Sequence, residues 1–143
     1  MKSRFWVLAA VLLLIAVACE GGGSVSGMRG TCRSIGDSGS CDGGYNRLSG
    51  VYRQRLDLDF YQSGDAVQVD ATVTVESGRV RISITAPDGT LTSAEAVSGS
   101  PASISGLGTA ARGAAGTTYL SITYEAIDGE VSGLAYAIEF GRP

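Results

Sequence analysis

Three aspartates are the residues whose type and spacing could support chemistry in this chain of 143 residues. Asp57 and Asp59 alternate with apolar residues in LDLDF, so both project from one face of a strand. Asp70 lies in the next alternating segment, and a hairpin between the two segments places it directly opposite Asp57. Carboxylates are ligands of Ca²⁺, and a pair of them can hydrolyse a glycosidic bond.

The surrounding sequence does not favour either carboxylate chemistry. No loop of the DxDxDG type accompanies the three aspartates. Arg53 and Arg55 can neutralise the acidic patch, and the acids alternate as surface residues of strands do. We therefore predict no metal, no cofactor and no catalytic residue, and we keep Asp57, Asp59 and Asp70 as candidate Ca²⁺ ligands.

Two tyrosines could contact a ligand. Tyr61 and Tyr119 fall on the polar faces of their segments, where an exposed ring could stack on a sugar or a protein. Ordinary cross-strand packing is the alternative for both rings.

The composition excludes several classes of function. The chain has no histidine, so Ser-His-Asp and Cys-His catalysis are excluded. It carries eleven Lys and Arg against fourteen Asp and Glu, and loss of Lys2 and Arg4 would leave nine against fourteen. A chain of this charge lacks the basic surface that nucleic-acid binding needs.

The N-terminus has the layout of a secretory signal. Residues 1–4 are basic, and residues 5–18 form an uninterrupted apolar run of fourteen residues. As a helix this run would rise about 21 Å, which is shorter than the hydrocarbon core of a bilayer. Ala16, Val17 and Ala18 satisfy the small-residue pattern for cleavage after residue 18, so we expect a signal peptide over residues 1–18.

The same residues together with Cys19 resemble the lipobox of bacterial lipoproteins, although Ala16 stands where the family more often has Leu. The resemblance implies that Cys19 receives a lipid thioether and an acylated amine after cleavage. Lipidation of Cys19 would leave Cys32 and Cys41 as an even pair. The resemblance implies a location in the bacterial cell envelope: the outer membrane of a diderm, since Glu20 rather than Asp follows the cysteine, or the outer face of a monoderm membrane.

Residues 19–43 are expected to form a Gly- and Ser-rich tether that contains a disulfide loop. Glycines and serines after Cys19 are typical of a flexible linker. Cys32 and Cys41 should pair in an oxidising compartment. A redox-active or metal-binding pair is the alternative, but eight residues separate the two cysteines and no histidine is near.

The rest of the chain alternates with a period of two, which is typical of strands with one buried face. A two-residue hairpin at Ser77-Gly78 would place Val75 opposite Val80, Val73 opposite Ile82 and Ala71 opposite Ile84. A similar turn at Ser63-Gly64 would pair Phe60 with Val67, although the chain could instead cross there to a second sheet. The last two segments should form a hairpin with a loop at residues 128–130, which would place Tyr124 opposite Leu134.

About seven short strands without a helical pattern predict an all-β fold, an antiparallel β-sandwich over residues 44–143. The order of an alternating strand, a Ser-Gly turn, APDGT and TTYLSITYEA is similar to small β-sandwich modules of the GOLD and pre-peptidase C-terminal type. That resemblance implies an accessory or binding role on a secreted or tethered protein.

We therefore expect a lipid-anchored cell-envelope protein whose β-sandwich is a non-catalytic binding or structural module. Its expected partners are the membrane, through the anchor, and an envelope protein or polysaccharide. The alternatives are a small carboxylate-based hydrolase of the glycosidase kind and a Ca²⁺-stabilised adhesion or carbohydrate-binding domain.

Overall fold

The structure is a computed structural model that describes residues 22–143, so Cys19 and the signal segment lie outside the described residues. The described range contains nine strands and no helix. The strands are β1 Ser24–Ser26, β2 Arg29–Ile35, β3 Ser38–Ser49, β4 Val51–Leu58, β5 Ala66–Thr74, β6 Ser77–Thr85, β7 Leu91–Val97, β8 Ala102–Arg112 and β9 Thr118–Gly141. No helix long and apolar enough to cross a membrane occurs in this range.

The strands form an antiparallel sheet that folds into two layers. In the first layer β1 and β2 both lie along one edge of β3, followed by the C-terminal half of β9, then β5 and β8. The second layer has the order β4, the N-terminal half of β9, β6 and β7. The predicted all-β, antiparallel sandwich is confirmed.

Strand β9 belongs to both layers. Its 24 residues pass from one layer to the other near Asp128, Gly129 and Gly133, which have φ values of 61°, 114° and 59°. Residues 128–130 do turn the chain, with positive φ at Asp128 and Gly129. The hairpin is wrong, because the two halves of β9 pair with other strands and not with each other.

The alternation of apolar residues correctly predicted the buried faces of β4, β5 and β6, but Phe60, which was expected to face Val67, is exposed. In β5, Val67, Val69, Ala71 and Val73 are all buried, and Val80, Ile82 and Ile84 of β6 face the same core. Burial of the valine and isoleucine side chains contributes about 1.5–3 kcal/mol each relative to exposure.

The predicted hairpin pairings are wrong. Strand β5 pairs with β8 and β9, and β6 pairs with β7 and β9, so Ser77-Gly78 joins two layers. Ser63-Gly64 likewise leads from β4 in one layer to β5 in the other, the crossing that the sequence left open. In the predicted hairpins apolar residues still lay opposite apolar residues, because the strands of both layers bury their apolar faces against one core.

The segment expected to be a tether is largely strand. Strands β1 and β2 pair with β3, and β3 runs across the expected boundary between residues 43 and 44. The glycines of β3 permit close packing: a Cβ at Gly44 would meet the carbonyl of Leu134, and one at Gly43 would meet the carbonyl of Arg29.

The predicted disulfide between Cys32 and Cys41 is present. The two residues are directly opposite in the β2–β3 ladder, and their Cα atoms are 4.1 Å apart. All seven residues of β2 are exposed, whereas Cys41 is buried in the core. The bridge therefore ties an exposed edge strand to the interior.

Four tyrosines pack together at one end of the core: Tyr45, Tyr52, Tyr124 and Tyr136. The hydroxyl of Tyr124 donates to Oε1 of the buried Gln54 at 2.8 Å. Burial raises the pKa of Tyr45, Tyr124 and Tyr136, because the phenolate would lose its hydration.

Candidate functional site

A groove opens on the outer face of the second layer, where β9 changes partners. On one side β9 pairs with β8 as far as the pair Ala110 and Leu120, and it pairs with β6 from the pair Ser83 and Thr123 onward. Between these two pairs, Ser121 has a strand partner only on the β4 side, where it lies opposite Arg55. This interruption leaves a groove of about 570 Å³ lined by Arg53, Arg55, Ser83, Ile84, Thr85, Thr109, Ala111, Tyr119, Ser121 and Thr123.

Strand β4 supplies the positive charge of the groove. Gln54, Leu56 and Leu58 point into the core, so Arg53 and Arg55 must point outward from the same strand. The guanidinium carbon of Arg55 lies 4.4 Å from the centre of the Tyr119 ring. This cation–π contact joins the cationic wall of the groove to its single aromatic ring.

Hydroxyl groups make up most of the remaining polar lining. Ser83, Thr85, Thr109, Ser121 and Thr123 lie on three different strands that meet at the groove. The hydroxyl of Thr109 donates to the carbonyl of Thr85 at 2.8 Å, which links β8 to β6 across the interruption. Hydroxyls can both donate and accept, so such a lining suits a ligand that is itself rich in hydroxyls.

The predicted proximity of Asp57 and Asp70 is wrong. Asp57 lies opposite Tyr119 in the second layer, and Asp70 lies opposite Ser105 and Glu139 in the first. Within residues 22–143 there is no group of three or more His, Cys, Asp or Glu that could hold a metal ion. The three aspartates therefore do not form the Ca²⁺ site that was considered.

A different pair of acids does come together. Asp70 and Glu139 are cross-strand partners, and both line a shallow depression of about 370 Å³ with Thr72, Ser103 and Ser105. The sequence could not indicate this pair, because the two residues are 69 positions apart in the chain and their pairing depends on the course of β9.

Asp59 and Tyr61 do not line the groove, although Asp59 shares a smaller depression of about 280 Å³ with Arg55 and Asp57. The carboxylate of Asp59 accepts a hydrogen bond from the Ser34 hydroxyl at 3.5 Å. Tyr61 is buried rather than exposed, and its hydroxyl donates to the carbonyl of Asp37 at 2.6 Å. Burial raises the pKa of Tyr61. Its prediction as a surface ligand residue is therefore wrong.

Of the two tyrosines that the sequence suggested as ligand-binding residues, Tyr119 is the one that lines the groove. It is half-buried and lines the groove beside Arg55. The sequence suggested that Arg53 and Arg55 neutralise neighbouring acids. Both arginines line the groove, and neither forms an ion pair with an acid of residues 22–143. The alternation of β4 indicated that they are exposed, but it could not show what lies beside them.

No family model matches the chain, and no curated protein matches it. Among solved structures it is similar to a carbohydrate-binding module of Cellvibrio mixtus lichenase 5A in complex with cellotriose, at 11% identity and a TM-score of 0.37, covering 84% of this chain and 90% of the module. A family 11 carbohydrate-binding module of Clostridium thermocellum, in complex with a mixed-linked tetrasaccharide, has 11% identity and a TM-score of 0.35, with 87% and 89% covered.

Oxalate decarboxylase from Bacillus subtilis is also similar, at 14% identity and a TM-score of 0.29, and the match covers 90% of this chain but 32% of the decarboxylase. None of these likenesses identifies a ligand or a reaction for this chain.

Proposed function

We propose that this chain is a lipid-anchored protein of the bacterial cell envelope whose β-sandwich is a non-catalytic module that binds a polysaccharide in the groove on β4, β6, β8 and β9. The observation that carries the proposal is the composition of the groove, in which one aromatic ring, two guanidinium groups and five hydroxyls converge. Sugar hydroxyls can exchange hydrogen bonds with all of these polar groups.

The same lining argues against catalysis in the groove. Its ten residues include no carboxylate, histidine, cysteine or lysine, so no side chain of the lining is a general base that could activate the serine and threonine hydroxyls. The acids Asp70 and Glu139 lie on the outer face of the other layer. The proposed role is therefore binding.

The anchor is supported by the sequence around Cys19 and fits the way the chain enters the sandwich. The amide of Gly23 donates to the carbonyl of Val51 at 3.1 Å, next to the turn at Gly50. Asp37 and Phe60 lie at the opposite end of the paired strands. A lipid at Cys19 would hold the turn at Gly50 towards the membrane and leave the groove accessible.

Co-sedimentation with insoluble cell-wall polysaccharide of the source bacterium tests the binding role. Ser121→Trp places a bulky ring in the groove, and Ser103→Trp places the same ring on the outer face of the other layer. The full-length protein and Ser103→Trp should sediment with the polysaccharide, and Ser121→Trp should remain in the supernatant. Equal sedimentation of both variants would show that the groove is not the binding site.

Intact-mass measurement of the N-terminal peptide tests the anchor. The mature protein should begin at Cys19, carry acyl mass there and stay with the membrane through a salt wash, because several acyl chains hold it at about 0.8 kcal/mol per buried CH₂. Cys19→Ser should give an unprocessed or misrouted precursor. A free amine, no added mass and a soluble product would contradict the anchor.

A further inference from the structure

We propose that the groove recognises an acidic polysaccharide, one that carries carboxylates on its sugar rings, rather than a neutral one. This inference rests on the proposed function and specifies its ligand class. Its basis is the state of the two arginines in the groove and of the ring beside them.

The arginines of the groove are distinguished by lying two residues apart on one face of β4 and lining the same groove. Four arginines outside the groove form ion pairs with acids: Arg47 with Glu130, Arg79 with Asp128, Arg81 with Glu95 and Glu125, and Arg142 with Asp37 and Asp65. Arg53 and Arg55 form no ion pair with a carboxylate of residues 22–143, and the same holds for Arg29, Arg33 and Arg112. Asp57 continues the same face of β4 beyond Arg55 but does not line the groove. The groove itself therefore carries two adjacent cations and no acid, which is a place where a negative ligand fits.

The spacing of the two cations suits a polymer. Arg53 and Arg55 are two residues apart on one face of β4, so their Cα atoms are about 7 Å apart along the strand. Both guanidinium groups border the same groove. A chain with repeated carboxylates could therefore place one acid against each, with the planar, two-pronged geometry that guanidinium offers to carboxylates.

The aromatic ring is not available as an open stacking platform. The guanidinium of Arg55 lies over the face of Tyr119, and a neutral sugar that stacked on that face would have to displace the cation. An acidic sugar can instead bind the guanidinium where it lies, with the Tyr119 ring holding it in place. The contact thus favours recognition by charge over recognition by stacking alone.

The hydroxyls of the groove are the groups that would form hydrogen bonds with the sugar rings of the ligand. Thr123 and Ser121 are the cross-strand partners of Arg53 and Arg55 on β9, and Ser83 follows on β6 as the next partner of Thr123. They can bond to ring hydroxyls but cannot compensate a positive charge as an acid would. The site therefore combines a charged side and a neutral polar side, as a uronic-acid polymer requires.

Titration calorimetry of the full-length protein in detergent tests this inference, with an oligogalacturonate and a neutral galactose oligomer of the same length as probes. The acidic oligomer should bind at least about tenfold more tightly than the neutral one, since hydrogen bonds to charged groups contribute about 1.5–3 kcal/mol each. Arg53→Gln and Arg55→Gln should each weaken binding of the acidic oligomer about tenfold. Arg47→Gln, an arginine of the other layer, should leave binding unchanged.

Added salt should weaken binding of the acidic oligomer and not of the neutral one. Equal affinity for the two oligomers, lost in Ser121→Trp but retained in Arg53→Gln and Arg55→Gln, would overturn the acidic preference and leave the groove as a polysaccharide site. Binding of the acidic oligomer that survives Ser121→Trp would overturn both proposals. Absence of binding by either oligomer to a protein that melts cooperatively would overturn the uronate inference, while the sedimentation test above would still decide the groove.

Discussion

The guanidinium of Arg142 lies 4.3 Å from the centre of the Tyr61 ring, so the last strand closes over the end of the sandwich. The same guanidinium forms ion pairs with Asp37 and Asp65, each at 3.2 Å, and donates to the carbonyl of Phe60. The pKa of Asp65 is lowered mainly by the hydrogen bond from the backbone amide of Gln62 and further by Arg142. One side chain therefore connects the β2–β3 turn, the segment after β4 and the start of β5.

This connection holds Phe60 in a conformation that its side chain does not favour. Phe60 has a φ of 64°, and its ring is 78% exposed. We predict that Phe60→Gly is more stable than Phe60→Ala by about 1 kcal/mol, because both lose the ring but only glycine adopts a left-handed backbone without a steric penalty. Urea denaturation of the two variants measures the difference. If Phe60→Ala were the more stable, the left-handed backbone would carry no cost at this site.

The disulfide should contribute to stability through the short loop that it closes. Cys32 and Cys41 are separated by nine positions, for which loop-closure entropy gives about 2.5–3 kcal/mol. We predict that the double variant Cys32→Ala and Cys41→Ala loses about this much free energy of unfolding and that amides of β2 exchange faster. The wild type under reducing conditions provides the matched comparison. Stoichiometric thiol labelling of both cysteines in the non-reduced, exported protein would contradict the bridge.

The facing acids of the first layer should oppose folding. Asp70 and Glu139 are cross-strand partners without an ion-pair partner among residues 22–143. We predict that Asp70→Asn raises the free energy of unfolding by about 0.2–1 kcal/mol, because like charges directly opposite one another repel. Asp57→Asn is the control, since Asp57 lies opposite Tyr119. The gain should shrink at high salt, and a loss of stability in Asp70→Asn would show that a cation or hydroxyl network already compensates the pair.

The buried tyrosines should make the fold sensitive to alkali. The pKa of Tyr124 is raised above the ordinary value of 10.0, mainly by burial and further by the neighbouring tyrosines. The folded state then keeps a proton that the unfolded state releases, so stability is complete below pH 10 and falls as the pH rises above it. Tyr124 alone contributes a decline of up to about 1.4 kcal/mol per pH unit.

Urea denaturation across the alkaline range measures this decline. Tyr124→Phe should be less stable at neutral pH, since it loses the hydrogen bond to Gln54, but its stability should fall less steeply in alkali. A decline of the same slope in both proteins would assign the alkali sensitivity to other groups.

The sequence by itself determined which faces of the strands are buried and that Cys32 and Cys41 pair. In β4, β5 and β6 the alternation of apolar and polar residues follows from the pleat, which sends successive side chains to opposite faces whatever the partner strand is. Arg53 and Arg55 could be assigned to the surface for the same reason. The two cysteines are close in sequence, so a short loop suffices to bring them together.

Only the tertiary structure decided which strands pair. The burial of Val75 and Val80 is compatible with a hairpin between their strands, and it is equally compatible with two strands in different layers that face one core. Matching of apolar faces cannot distinguish these two arrangements, because both bury the same residues. The course of β9 through both layers places Glu139 opposite Asp70, and it leaves the gap between the pair Ser83 and Thr123 and the pair Ala110 and Leu120. These contacts join residues far apart in the chain, so the groove follows from long-range pairing and no local pattern could have indicated it.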